Sequence, residues 1–336
     1  MQNNINGGFR LPLSGVRHLG DRHRFWLSTI RRPEAESREP EADSAILPGM
    51  RARPRIAIVG AGSLGSALAV SLHRAGYSID QILFRNRRGS RRKAISLAKK
   101  VGARAVAMAQ AKIESDVVWL CVPDGAIAEV AQLLAEKADW AGRVALHSSG
   151  ALGCDELAVL RRRGAAVGSV HPMMTFVGGA WKAGLGPALA GVPFAIEGDA
   201  AAVRLSRRLV KDLGGKAYAI RPRDKAAYHG WGTFASPLLT ALFATTEQVA
   251  AAAGIPRREA KRRVLPILRQ TLANYAALDA GHAFSGPIIR GDAETIRRHL
   301  RVLREVPAAR EVYAALAKAA VRYLPGKNKR VVRGLL

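Results

Sequence analysis

Four residues of this 336-residue chain combine a reactive side chain with a setting that would present it: His171, His229, Ser149 and Arg290. His171 follows the expected strand 167–170 and precedes Pro172, whose ring biases it to extended backbone at the start of a loop. An imidazole there can pass a proton near neutral pH. It serves either as an acid toward a polarised double bond or as an anchor that holds the loop through backbone hydrogen bonds. His229, beside Trp231 in a helical stretch, is either a second proton-transfer group or a partly buried packing histidine. Ser148 and Ser149 stand in the run His147-Ser148-Ser149-Gly150, where their hydroxyls either hold a ligand or cap the chain from Ala151 onward. Arg290 lies between Gly286 and Gly291, and its guanidinium can clamp a carboxylate or phosphate, so a small and anionic substrate is one expectation. Asp292 reads as the N-cap of the helix that follows. Cys121 and Cys154 are the only cysteines, which gives neither a disulfide framework nor a metal-ligand set. No metal is expected, and a reducing cytoplasm fits.

A second set of residues is suited to a dinucleotide. Gly60-Ala61-Gly62-Ser63-Leu64-Gly65 directly follows the short apolar run Ile56-Ala57-Ile58-Val59 and opens an Ala- and Leu-rich helix. That strand, turn and helix context is what makes a glycine motif informative. Gly60 allows the tight turn, Gly62 removes a Cβ so that backbone can approach a pyrophosphate, and Gly65 lets helix and strand pack closely. The helix N-terminus then offers unpaired N–H groups to the diphosphate. Where the NAD form of the motif places a carboxylate for the ribose hydroxyls, this chain has Arg85-Asn86-Arg87-Arg88, with Arg85 twenty positions after Gly65. Cationic side chains suit a 2′-phosphate, so NADP is the expected cofactor and NAD the less favoured one. Val122-Pro123-Asp124 closes a further strand at the edge where cofactor and substrate meet. Asp124 there either faces the cofactor or caps a helix over 125–137.

The elements that must position these residues follow from periodicity. Strands are expected over 56–59, 82–84, 117–122, 144–146 and 167–170, with a weakly signalled one near 103–107 and edge strands over 193–196 and 217–220 around a helix at 201–213. Alternating strands and helices imply a doubly wound, mainly parallel sheet, that is, a Rossmann α/β domain over 51–221. After Pro222 the period changes to 3.6, and an all-α domain is expected over 222–325, with helices at 226–253, 257–280 and 308–324 and a kink at Pro266. Residues 326–336 read as a basic tail. Residues 1–50 lack sustained period and are rich in Gly and Pro, so they are expected to be disordered or a non-native extension preceding a start near Met50. The net charge of +27 is Arg-dominated and scattered along the chain without a recognition module, so no specific nucleic acid is expected. No run of about 18 apolar residues signals a membrane span.

Several motifs, taken in order, resemble a known family, the Rossmann-like oxidoreductases that carry the helical domain of unknown function 2520. They are Ser148-Ser-Gly-Ala151, Gly168-Ser-Val-His-Pro-Met-Met-Thr-Phe176, Tyr228-His229, and Ser285-Gly-Pro-Ile-Ile-Arg-Gly-Asp292 followed by Thr295 and His299-Leu300. The resemblance covers about 55–324, and its plan is similar to that of pyrroline-carboxylate reductase and the 3-hydroxyacid dehydrogenases. Pro237, after Phe234-Ala235-Ser236, departs from the Asn of the family pattern and removes an amide contact from this helix. What the resemblance implies is hydride transfer between a nicotinamide and a small carbonyl, imine or hydroxy-acid compound, with a homodimer formed through the C-terminal helices. The alternative class is a non-catalytic dinucleotide-binding sensor or interaction protein, which fold alone does not separate from an enzyme.

Overall fold

The computed structural model describes residues 50–85, 87–178 and 189–336. The expectation for residues 1–49 therefore falls outside the described residues. Eight strands form one sheet in the order β3-β2-β1-β4-β5-β6-β7-β8. They are β1 (Ile56–Val59), β2 (Ile79–Phe84), β3 (Arg104–Ala107), β4 (Val117–Leu120), β5 (Val144–His147), β6 (Ala166–Pro172), β7 (Pro193–Gly198) and β8 (Lys216–Ala219). All neighbours run parallel except β6 and β7, which pair antiparallel. β2 starts three residues earlier than expected, because Ile79 is buried and aligned with Ile56. The strand expected over 117–122 ends two residues sooner, at Leu120.

Side chains alternate across the sheet and build two cores. On one face Ile56, Ile58, Ile82 and Trp119 pack with Leu68 and Leu72 of α1 (Ser63–Arg74), Leu97 of α2 (Arg88–Val101) and Leu205 and Leu209 of α5 (Ala200–Asp212). On the other, Ala57, Val59, Val118 and Leu120 pack with Val130 and Leu134 of α3 (Ile127–Ala135) and Leu160 of α4 (Ala158–Arg161). Helices on both faces are what a parallel sheet buried on both sides requires.

The C-terminal region is helical. α6 (Lys225–Thr233) runs into a π-helical turn, Phe234–Leu238, and then α7 (Leu239–Ala252). Pro237 sits in that turn: it lacks an N–H and its ring clashes with a regular helical carbonyl, so the widened turn absorbs it. α8 (Arg257–Ala277) continues through Pro266, and α9 (Ala280–Ala283), α10 (Pro287–Arg290), α11 (Ala293–Val302) and α12 (Pro307–Tyr323) follow. Asp292 caps α11 as expected, accepting from the Thr295 N–H and hydroxyl. Residues 326–336 correct the reading as a plain basic tail. Lys329–Leu335 forms a helix, α13, whose Val332 is fully buried against Ile296, Leu300 and Val321. α7 has no buried residue and α8 only Ala260. Among the described residues no single helix is long and apolar enough to cross a membrane.

Candidate active site

Strands β1, β4, β5 and β6 run parallel and deliver their next residues to one edge of the sheet. At the end of β1, Gly60 adopts φ +102°, and a Cβ on it would lie 2.5 Å from the Cys121 carbonyl oxygen. A Cβ on Gly65 would lie 2.0 Å from the Gly60 oxygen, so both glycines are imposed by backbone approaching backbone. Gly62 is different: a Cβ there meets nothing within 4 Å. Its freedom leaves an open approach beside the N-terminus of α1, which no side chain caps and which has no acidic residue in its first turn. Such an end attracts an anion through its N–H groups and its dipole, so the turn Gly60, Ala61, Gly62, Ser63, Leu64, Gly65 fits a diphosphate. Arg85, Arg87 and Arg88 stand exposed after β2, where the Arg87 N–H closes a tight turn onto the Arg85 carbonyl at 2.6 Å. Asn86 lies outside the described residues.

After β4, Val122 and Pro123 lead to Asp124, and here the capping alternative fails. The Asp124 carboxylate makes no cap to the helix; it accepts the Ser149 hydroxyl at 2.9 Å. Ser149 Oγ in turn accepts the N–H groups of Ala151 (3.2 Å) and Leu152 (2.9 Å). Ser149 is thus buried and its hydroxyl is fully engaged in building the turn, while Ser148 Oγ accepts the Trp119 indole N–H at 2.8 Å. Beneath them His147 accepts the Ser149 N–H on Nδ1 and bonds the Gly153 carbonyl from Nε2. Burial pushes its pKa down to about 4, which keeps the ring neutral with the proton on Nε2.

β6 is longer than its neighbour. His147 pairs with Ser169, and β6 then runs on to His171, two residues further and on the same face. His171 Nδ1 lies 3.2 Å from the Tyr228 hydroxyl, and its ring meets His229 edge to face at 5.9 Å between centroids. Both imidazoles press on Gly150: a Cβ there would lie 2.6 Å from His229 Cδ2 and 2.8 Å from His171 Nε2. Burial first, then the nearby His229 and Lys225, hold the His171 pKa down at about 4, while burial raises Tyr228 to about 12. Both groups are therefore neutral near pH 7, and in the tautomer that carries its proton on Nε2, beside Gly150, the ring accepts the Tyr228 hydroxyl on Nδ1.

The structure thus joins His171, His229 and Ser149 around one turn. It does not bring Arg290 to them: Arg290 is exposed at the end of α10, which packs on α11 and α12. The sequence reading missed Lys225, Ser169 and Glu197, and gave Tyr228 no role of its own. The available signal was helical spacing: Lys225, Tyr228 and His229 stand at i, i+3 and i+4.

Comparisons agree with this architecture. Residues 192–320 match the domain of unknown function 2520 and residues 38–172 a Rossmann-like domain. The first of these matches starts before β7, so it takes in β7, α5 and β8 as well as the helices. No curated protein matches the chain. Among solved structures, a provisionally assigned NADP oxidoreductase from Bacteroides fragilis is 24% identical over 79% of this chain and 97% of its own, with a TM-score of 0.66. A reductive aminase from Aspergillus terreus, in complex with NADPH and ethyl levulinate, is 19% identical over 80% of this chain and 94% of its own, with a TM-score of 0.56. An imine reductase variant from Myxococcus stipitatus, in complex with NAD+, is 20% identical over 85% of this chain and all of its own, with a TM-score of 0.54. At these identities the likeness shows the fold. The two family matches, in chain order, give this chain a Rossmann-like domain over 38–172 followed by the domain of unknown function 2520 over 192–320.

Proposed function

We propose that this chain is an NADPH-dependent oxidoreductase acting on a small carbonyl, imine or hydroxy-acid compound. One observation carries the reading. The open glycine turn after β1 and the His171, Tyr228 and His229 group after β6 occupy the same edge of the sheet, three strand spacings apart. At about 4.8 Å per spacing that is roughly 14 Å, a span that a dinucleotide lying across the strand ends can bridge. The nicotinamide would supply hydride to the substrate carbon. The chain's own part is to hold a proton for the substrate oxygen or nitrogen: His171 gives it from Nε2, while Nδ1 takes the proton of the Tyr228 hydroxyl. The tyrosinate is then reprotonated from water. Two neighbours in fold, the reductive aminase and the imine reductase, favour the same class of reaction. Screening keto acids, imines and hydroxy acids for nicotinamide oxidation or reduction tests the reading. Tight cofactor binding with no turnover of any class would leave a dinucleotide sensor instead.

The cofactor preference is testable without a substrate. Arg85, Arg87 and Arg88 are exposed where a 2′-phosphate would lie. A charge-assisted hydrogen bond contributes about 1.5–3 kcal/mol, and exposure favours the lower end. Two such contacts give NADPH roughly a 10²-fold advantage over NADH at low salt, shrinking as salt rises. Titrations by nicotinamide fluorescence should show it in the unmutated protein and lose it in Arg85→Ala combined with Arg87→Ala and Arg88→Ala. Equal affinities for the two cofactors would refute it.

The apolar surface of the C-terminal helices belongs to the same proposal. Trp231 and Phe234 are 65% and 73% exposed, and Ile267, Leu272 and Tyr275 of α8 stand equally open. Trp231 touches Tyr228, so the Trp231 part of this surface adjoins the site. The occupant we propose is a second copy of the chain, packed through a two-fold contact that needs no other partner. Light scattering should give a dimer, and Ile267→Glu should shift it toward monomer; a monomeric unmutated protein would refute it.

A further inference from the structure

Lys225, the first residue of α6, takes no part in the proton relay, yet it is 0% exposed. Lysine is almost never fully buried unless its charge is met. Its Nζ donates to Ser169 Oγ at 2.6 Å and to the Ser149 carbonyl at 3.0 Å, and stands 3.8 Å from Glu197 Oε1. Ser169 and Glu197 are register partners across β6 and β7, and Ser169 Oγ itself donates to the Ser149 carbonyl. Glu197 Oε1 also accepts the Cys154 N–H, while its Oε2 is buried without a partner. One ammonium thus gathers the turn after β5, the two strands beside it and the start of the helical region.

The spacing of the residues explains why this matters. Lys225, Tyr228 and His229 share one face of α6, and Ser169 and His171 share one face of β6. The two faces meet as rungs, Lys225 on Ser169 and Tyr228 on His171. Replacing a buried ion pair with apolar groups is often neutral or stabilising, so stability alone does not account for it. What the cation supplies is a fixed distance between the turn, β6 and α6.

We propose that Lys225 is a positioning residue of this site: its ammonium bolts the Ser149 turn and β6 to the first turn of α6, and so sets where the His171 and His229 rings stand over Gly150. The proposal rests on the reading of His171 as the proton-bearing group, but its test requires neither cofactor nor turnover. The other groups acting on His171 are Tyr228 and His229 from α6 and Asp124 from the turn after β4, and the Lys225 cation opposes a proton there.

Three full-length variants decide it: Lys225→Met, the charge-balanced pair Lys225→Met with Glu197→Gln, and Ser169→Ala, which leaves both charges in place. With histidine rings isotopically labelled, the pH titrations of His171 and His229 and the cross-relaxation between their rings are followed by NMR, with melting temperature in parallel. In the charge-balanced pair the His171 midpoint rises by about half a pH unit or more, and the cross-relaxation to His229 falls at least twofold. Ser169→Ala, with the cation retained, shows the loss of cross-relaxation without that rise. His73 on the surface stays unchanged. A charge-balanced pair that keeps both the midpoint and the cross-relaxation overturns the proposal, whatever its melting temperature. If that pair does not fold, Ser169→Ala decides by cross-relaxation alone. Failure of the oxidoreductase reading would appear separately, as absence of NADPH binding, and would leave these titrations intact.

Discussion

Replacing His171 with alanine is expected to slow turnover about 10²–10⁴-fold, roughly 3–5 kcal/mol of barrier, while NADPH affinity stays within about a factor of two. The ring is placed at the end of β6 beyond the last residue paired with β5, with its Nδ1 bonded to Tyr228 and its Nε2 against Gly150. Its pKa near 4 decides which form works. At pH 7 the imidazole is neutral, so an imidazolium donor would lose activity tenfold for each pH unit above about 4. A neutral relay from Tyr228 through His171 has no such limb, and its rate stays flat from about pH 8 down to about pH 5.5 before falling at lower pH as the ring protonates. Stability follows the same sign. The unfolded ring, with a pKa near 6.5, binds the proton more tightly than the folded one. The contribution is therefore complete above about 6.5 and is lost as pH falls through about 4. Steady-state rates of His171→Ala and Tyr228→Phe across pH check both parts; turnover that survives His171→Ala would return the ring to anchoring its loop.

Gly65→Ala is expected to abolish measurable NADPH binding, a loss of 10³-fold or more by order of magnitude. The new Cβ would stand 2.0 Å from the Gly60 oxygen and 3.1 Å from Cys121 Cβ, so α1 or the turn must move as backbone. Overpacking of this kind costs about 1–3 kcal/mol or more, a fall in melting temperature of several degrees. Gly62→Ala separates the fold from the cofactor, because its Cβ meets no protein atom within 4 Å. Its melting temperature should match that of the unmutated protein, while NADPH affinity falls roughly tenfold or more as the methyl occupies the approach to the pyrophosphate. Calorimetry on the pair checks this, and unchanged affinity in Gly62→Ala would place the diphosphate elsewhere.

The sequence by itself determined whatever rests on neighbours along the chain. The run 56–59 alternates between two buried faces, and the three glycines follow it at fixed spacing, so strand, turn and helix were legible locally. So were the cap at Asp292, whose partner Thr295 is three residues away, and the change of period after Pro222. Only the tertiary structure decided which polar groups would meet. Tyr228 reaches His171 across 57 positions, and Lys225 reaches the Ser149 carbonyl across 76. Those pairs exist because the sheet order sets β5, β6 and β7 side by side and α6 returns onto their ends, which no local pattern encodes. Between the two roles open to Ser149, the tertiary packing chose the turn-building one, since burial obliges a hydroxyl to find partners. It left Arg290 on the far helices, and it folded residues 329–335 onto α11, because burying Val332 offsets the cost of ordering a short basic helix.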